Sequence, residues 1–293
     1  MVAALFFVLT HRRQLGASFN VLATAEPWHV AQALGLCVLT FGIAAAIYGL
    51  LALKPLRFER TCLVELAAAC VNRLLPAGLG SLGLHGAYLY KQRHTVAEAT
   101  AVVSINNALG IVAHLSLLVG AVLYQPGLLE RFHVSLPAHA WKVPFVLVAL
   151  CVLAVCVFPG LRTRLVGFGH NLYASFRLLR ARPLRLVLAV FLAVLLTLTY
   201  TSILFMSARS LGLVIGFLPC FIIFSVGMLA GTSTPTPGGL VGAEAGLLGA
   251  LVAYGIPVPD AGAAVLLFRL VTYWMPIVPG AIALIFVRRF SVV

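Results

Sequence analysis

The sequence predicts an all-α polytopic membrane protein with about six transmembrane helices, the first one short, and two re-entrant Pro/Gly hairpins in an inverted repeat. Three observations carry this. The 293-residue chain is 62% hydrophobic and only 9% charged, where a soluble domain carries about 25% charged residues. Its apolar residues fall in runs that approach or exceed the ~20 residues a helix needs to cross a bilayer at ~1.5 Å per residue. Two regions are apolar yet broken by proline and glycine, a pattern tolerated at membrane depth only where the backbone is buried in protein or lines a wet cavity.

Taken in order, Met1–Leu9 is apolar but would cross only about half the membrane. Arg12 and Arg13 follow it, the reverse of a signal peptide, so it reads as a shortened first span. Full spans are expected at 30–53, 99–124, 143–161, 186–208 and 261–287. Residues 61–93 (CLVELAAACVNRLLPAGLGSLGLHGAYLYKQRH) and 210–259, which breaks at TSTPTPGGLVGAEA, each read as two short helices joined by a turn. Pro76-Ala77-Gly78-Leu79 aligns with Pro237-Gly238-Gly239-Leu240, and Val96-Ala97-Glu98-Ala99 with Val258-Pro259-Asp260-Ala261. A single membrane domain over 1–293 then holds repeat one at about 1–125 (re-entrant 61–93) and repeat two at about 142–288 (re-entrant 210–259).

Three crossings per repeat would invert the second copy. Basic residues cluster accordingly: six in 54–93, six in 162–185, then Arg288 and Arg289, fourteen of the twenty, all on one side. The positive-inside rule makes that side cytoplasmic. The expected topology is multi-pass, with 162–185 and the C-terminus in the cytoplasm. The 162–185 segment reads as an amphipathic helix on the anionic inner leaflet or as an ordinary positive-inside loop. The net charge of +13 therefore belongs with lipid headgroups, and no nucleic-acid partner is expected.

Six cysteines include no CxxC, and eight histidines no HExxH; His133 and His139 share a loop but make no metal site. With seven acidic residues and no GxSxG, P-loop or DxD pair, no catalytic residue, metal or cofactor is expected, and the protein reads as a non-enzyme.

The candidate binding residues gather at the breaks. If Pro237, Gly238 and Gly239 form a hairpin tip, the half-helix after them offers free N–H groups and a positive dipole end, an anion site at depth. Pro76, Gly78 and Gly80 supply the mirror-related half. The bland alternative is a hairpin that only packs two short helices. Glu244 is expected about two turns into the half-helix and Arg269 within the last span. An isolated charge there costs at least about 2.5–3.5 kcal/mol, so each needs a partner. Either the two form a buried pair that locks hairpin to span, or Arg269 receives a phosphate through its bidentate fork, with Glu244 holding it or carrying a proton. Asn106 and Asn107, the latter aligned with Arg269, read as interhelical glue or as cavity lining. Asn72 and Arg73 flank the first break, and His114 lies in the span after it. Tyr273 and Trp274 stack on a headgroup or simply pack.

PTPGGLVGAE, followed by AAVLLFRLVTYWMP, with NRLLPAGLG earlier, resembles the flippase-like membrane region of the lysylphosphatidylglycerol synthase family over most of the chain. The resemblance carries onto Pro237, Gly238, Gly239, Glu244 and Arg269. It implies a plasma-membrane protein that moves, or helps move, a lipid between leaflets. The chain ends at Val293, so it is expected to be a stand-alone member with no synthase domain and no lipid aminoacylation of its own. The family's first motif commonly carries a basic residue and an acid, as in P-x-R-x-G-E; here PAGLGSLG has neither, which shifts weight to the second hairpin. The expected function is translocation of an anionic phospholipid or lipid-linked precursor. The alternative is a non-transporting scaffold that presents lipid to a partner glycosyl- or aminoacyltransferase, and a third reading is an exporter of a small soluble anion.

Overall fold

In hydrocarbon every backbone N–H and C=O must be bonded within the protein, so apolar runs of this length fold as helices. The computed structural model describes residues 18, 20–74, 79–125, 182–234, 236, 238–290 and 292–293, and among these it is all-helical. The elements are α1 (Pro27–Leu51), α2 (Phe58–Leu74), α3 (Leu79–Lys91), α4 (Val96–Tyr124), α5 (Pro183–Ser210), α6 (Phe217–Ser233), α7 (Gly242–Ala253), α8 (Val258–Arg269), a π-helical turn (Leu270–Trp274) and α9 (Ile277–Arg289). Four helices are long and apolar enough to cross a membrane: α1, α4, α5 and the continuous Val258–Arg289. They match the expected spans at 30–53, 99–124, 186–208 and 261–287. The expected spans at 1–9 and 143–161 and the basic segment through 181 lie outside the described residues, as do Pro76, Gly78 and Pro237.

Both broken regions are helix pairs. The pair α6–α7 has 17 and 12 residues, about 25 and 18 Å at 1.5 Å per residue, short of the ~30 Å hydrocarbon core. The pair α2–α3 has 17 and 13. Against the expected 61–93 it runs from Phe58 to Lys91, because Phe58 and Glu59 already extend the first helix. The second pair is narrower than 210–259, since α5 runs to Ser210 and α8 starts at Val258.

Local signals set the ends. Pro27 and Pro183 open α1 and α5, positions where the missing N–H costs nothing. The α4 start is a capping box: Glu98 N–H donates to Thr95 Oγ1 at 3.2 Å, and Thr95 N–H to Glu98 Oε2 at 2.7 Å.

The broadest interface lies between α1 and α5. The largest core adds Ile203 and Leu204 of α5, Phe221 and Phe224 of α6, Leu247 and Leu251 of α7, and Val265 and Phe268 of α8. Among apolar helices in lipid, close packing supplies the association. The α6–α7 seam shows how close: a Cβ on Gly227 would lie 2.4 Å from Leu247 Cγ, and one on Gly246 2.6 Å from the Ala230 Cβ. Outward rows such as Ile111, Leu115 and Val119 on α4, and Val187 and Phe191 on α5, are exposed, which suits contact with lipid tails.

The turn between α3 and α4 packs on the end of α1 through His94. Its Nδ1–H donates to the Leu89 carbonyl (3.1 Å), and its Nε2 accepts from the Lys54 N–H (3.2 Å). Acceptance at Nε2 requires the neutral ring, and burial pushes the His94 pKa down. A group neutral in the fold and free to protonate when unfolded stabilises above its unfolded value, near 6.5, and loses that contribution as pH falls through its folded value. His94→Gln should therefore flatten the acid-side fall in melting temperature, measured in detergent against the wild type.

Candidate functional site

The α6–α7 tip is built from left-handed backbone. Gly238 and Gly239 have φ of +60° and +68°, and Val241 follows at +72°. Glycine adopts this region freely; a β-branched residue there is strained. Thr236 Oγ1 donates to the Leu240 carbonyl at 2.6 Å, and Thr234 Oγ1 to the Gly231 carbonyl at 3.0 Å, which ties the turn to the end of α6. Because residues 238–241 are turn and α7 begins only at Gly242, Glu244 sits in the first turn of the helix, not two turns in as the sequence count gave. The positive end of the helix dipole there favours a carboxylate, and Glu244 satisfies it from within.

Arg269 closes α8. Its Nε donates to Glu244 Oε1 at 2.6 Å, the pairing expected from the cost of isolated charges. The π turn that follows widens the helix by one residue and swings Tyr273 under the arginine. The Arg269 Cζ lies 4.5 Å from the Tyr273 ring centroid, and Gly238 is so close to the same ring that an added Cβ would sit 2.5 Å from Cε2. Tyr273 is buried, while Trp274, edge-on to it at 5.2 Å, is exposed.

A second guanidinium arrives from the other helix pair. Arg73, in the last turn of α2, lies 5.1 Å from the same centroid. It donates to the Thr272 carbonyl at 2.5 Å and to the Ala69 carbonyl. Two like charges are held against one ring whose negative faces attract both. The Thr272 and Val271 carbonyls are available because the π turn shifts the ladder by one residue and Pro276, next in line for both, has no N–H; the Cys37 thiol donates to the Val271 carbonyl at 3.4 Å. The C-terminal end of α2 and the α6–α7 tip thus meet at the π turn. Among the described residues, four buried polar atoms here have no hydrogen-bond partner: Arg73 Nε, Arg269 Nη2, Glu244 Oε2 and Asn72 Oδ1. Each such atom costs about 1–3 kcal/mol when buried.

The remaining candidates divide. Gly80 is not a cradle: it is buried in α3, where a Cβ would meet the Val71 carbonyl oxygen at 2.7 Å, so it serves the α2–α3 contact. Asn106 is half-buried near Tyr48, whose hydroxyl it reaches, and Asn107 is exposed; neither joins the arginines. His114 packs on Phe221 and Phe224 at ring-centroid distances of 5.5 and 6.0 Å. Arg73, expected only as a charge flanking the first break, joins the cluster through its contact with Tyr273. Among the described residues, no group of three or more His, Cys, Asp or Glu side chains could hold a metal ion.

Residues 1–280 match the family described as the lysylphosphatidylglycerol synthase TM region. The chain belongs to that family. No individual curated protein matches it. Membership in this family makes the chain a membrane protein with a lipid-related role, in keeping with its apolar helices.

Proposed function

We propose that the protein translocates an anionic phospholipid or lipid-linked precursor between leaflets, without catalysing a covalent reaction. The headgroup phosphate would be held at the Arg73–Tyr273–Arg269 cluster while the acyl tails stay among the apolar outer faces. The observation that carries this reading is the pair of guanidiniums on one ring, with donors Arg73 Nε and Arg269 Nη2 unpartnered among the described residues and one carboxylate bonded to Arg269. Two arginines and one glutamate leave one positive charge for a phosphate, and guanidinium geometry matches phosphate oxygens in pairs.

The helix pairs support a re-entrant arrangement, being too short to cross, and the contacts support an inverted repeat. The α1–α2, α2–α3 and α3–α4 contacts are matched by α5–α6, α6–α7 and α7–α8, and α1 packs most broadly on its counterpart α5. About six spans follow if the segments at 1–9 and 143–161 also cross. A cytoplasmic C-terminus follows from the basic residues near the span ends, and a plasma-membrane location from what the family resemblance implies. In this arrangement the C-terminal end of α2 and the α6–α7 tip approach the π turn from opposite leaflets, the plan by which transporters hold a substrate near the bilayer midplane.

A second reading rests on the closed Glu244–Arg269 pair at 2.6 Å. If that pair never opens, the protein is a scaffold that presents lipid to a partner glycosyl- or aminoacyltransferase. Proteoliposomes containing fluorescent phosphatidylglycerol separate the two. Reduction by external dithionite should proceed beyond the outer-leaflet fraction when the purified protein is present and stop at that fraction in empty vesicles. A plateau at the outer-leaflet fraction with protein present would favour the scaffold.

A further inference from the structure

A second polar cluster lies in the α2–α3 pair. Glu65 on α2 and His85 on α3 meet with Oε1 and Nε2 2.9 Å apart, and their side chains are 12% and 2% exposed. The other ring nitrogen, Nδ1, lies 2.8 Å from the Ser81 carbonyl oxygen, with Ser81 Oγ at 3.2 Å. Tyr48 of α1 stacks face to face on the imidazole, with centroids 4.3 Å apart and planes 5° from parallel. Asn106 of α4 reaches the Tyr48 side chain. Four helices therefore enclose the pair.

The geometry fixes a proton count. A carbonyl oxygen only accepts, so Nδ1 carries a hydrogen and donates it to Ser81. The 2.9 Å contact to Glu65 then needs one more proton, on Nε2 beside a carboxylate or on the carboxyl beside a neutral ring. Either way the pair is neutral overall and holds one dissociable proton. Losing it sets the Nε2 lone pair against a carboxylate and turns the bond that ties α2 to α3 into a repulsion at low dielectric. Among the described residues no lysine or arginine is bonded to Glu65 or His85 to compensate. The titratable groups close enough to feel the Glu65 carboxylate are Tyr48 from α1, Tyr200 from α5 and Cys62 on α2 itself, all neutral at physiological pH.

We propose that Glu65–His85 is a proton-binding site that couples movement of the α2–α3 pair to a proton gradient across the membrane, an inference that rests on the transport reading above. Release sends the proton to water and loosens the pair; uptake re-forms the bond. Glu65 and Arg73 ride on one helix, eight residues and about 12 Å apart along its axis, so the proton site and the arginine cluster share a rigid lever.

Glu65→Gln is the decisive variant, because its amide donates to the Nε2 lone pair of a neutral ring and keeps the contact without a transferable proton. Wild type and Glu65→Gln would be compared in proteoliposomes with fluorescent phosphatidylglycerol, with and without a pH difference across the membrane. The gradient should change the wild-type transfer rate several-fold and leave Glu65→Gln at its gradient-free rate. An equal response in both overturns the proposal. Should the wild type move no lipid at all, the transport reading and the coupling fall together. Hydrogen exchange of α2 and α3 in nanodiscs then decides the proton site itself. Protection that falls toward alkaline pH in the wild type but not in Glu65→Gln upholds it, and identical pH profiles remove it.

Discussion

Arg269→Ala should strip bound phospholipid from a protein that still folds, as read by native mass spectrometry in mild detergent beside the wild type. The substitution removes the bond to Glu244 Oε1, the 4.5 Å ring contact and the unpartnered Nη2 donor together. Retention should fall at least tenfold, about 1.4 kcal/mol, since charged phosphate contacts are among the stronger hydrogen bonds. Stability should also fall, because removing one partner of a buried ion pair leaves the other uncompensated, a cost of about 3–5 kcal/mol in a dry interior. Glu244 keeps 30% exposure, so water screens it and the cost lies below that range. The double variant Arg269→Ala/Glu244→Ala separates the two effects: with both charges gone, stability should recover while lipid does not return. Equal lipid on wild type and Arg269→Ala would make the arginine a structural charge and bring the scaffold reading forward.

The parts of this fold that depend on composition along the chain were legible in the sequence. Four apolar runs became four helices long enough to cross, and each region read as broken holds a pair of shorter helices. The Glu244–Arg269 pair was also legible, because burying either charge alone costs more than any nearby alternative. What escaped depends on tertiary contact. LVTYW reads as ordinary helix; only the surrounding packing shows that it widens into a π turn and aims Tyr273 at Gly238. Arg73 was visible as a charge beside a break, but its place against Tyr273 joins residues 200 positions apart in the chain. The absent basic residue of the first motif pointed away from the first helix pair, whereas Arg73 brings a guanidinium from that pair to the cluster. Glu65 and His85 carry no motif at all; a spacing of twenty residues has meaning only once α2 folds back on α3. Gly80 was misjudged for the same reason, since a glycine against ligand and a glycine against a neighbouring helix look alike in sequence.

The two tip glycines should fail in different ways, and the difference tests how the tip is held. Gly239 has φ of +68°, and a Cβ there would lie 2.8 Å from the Gly231 carbonyl oxygen. The left-handed conformation alone costs an L-residue about 1–2 kcal/mol. The obstacle is backbone at the end of α6, which cannot yield without parting the tip from its helix; overpacking of this kind adds about 1–3 kcal/mol. Gly239→Ala should therefore lower the melting temperature markedly and take lipid retention with it. Gly238 shares the backbone penalty at φ of +60°, but its Cβ would meet the Tyr273 ring, 2.5 Å from Cε2. A ring can tilt where a backbone cannot, and tilting draws it out from under Arg269 and Arg73. Gly238→Ala should thus be the milder lesion in thermal melting and the more selective one in lipid retention, losing lipid at a temperature where the protein remains folded. Pairing it with Tyr273→Ala should relieve the clash and recover stability without recovering lipid, because the surface that holds both guanidiniums is then gone. The opposite ranking, with Gly238→Ala the less stable and Gly239→Ala binding lipid normally, would mean that Tyr273 rather than the end of α6 anchors the tip, and that the arginines meet there for packing alone.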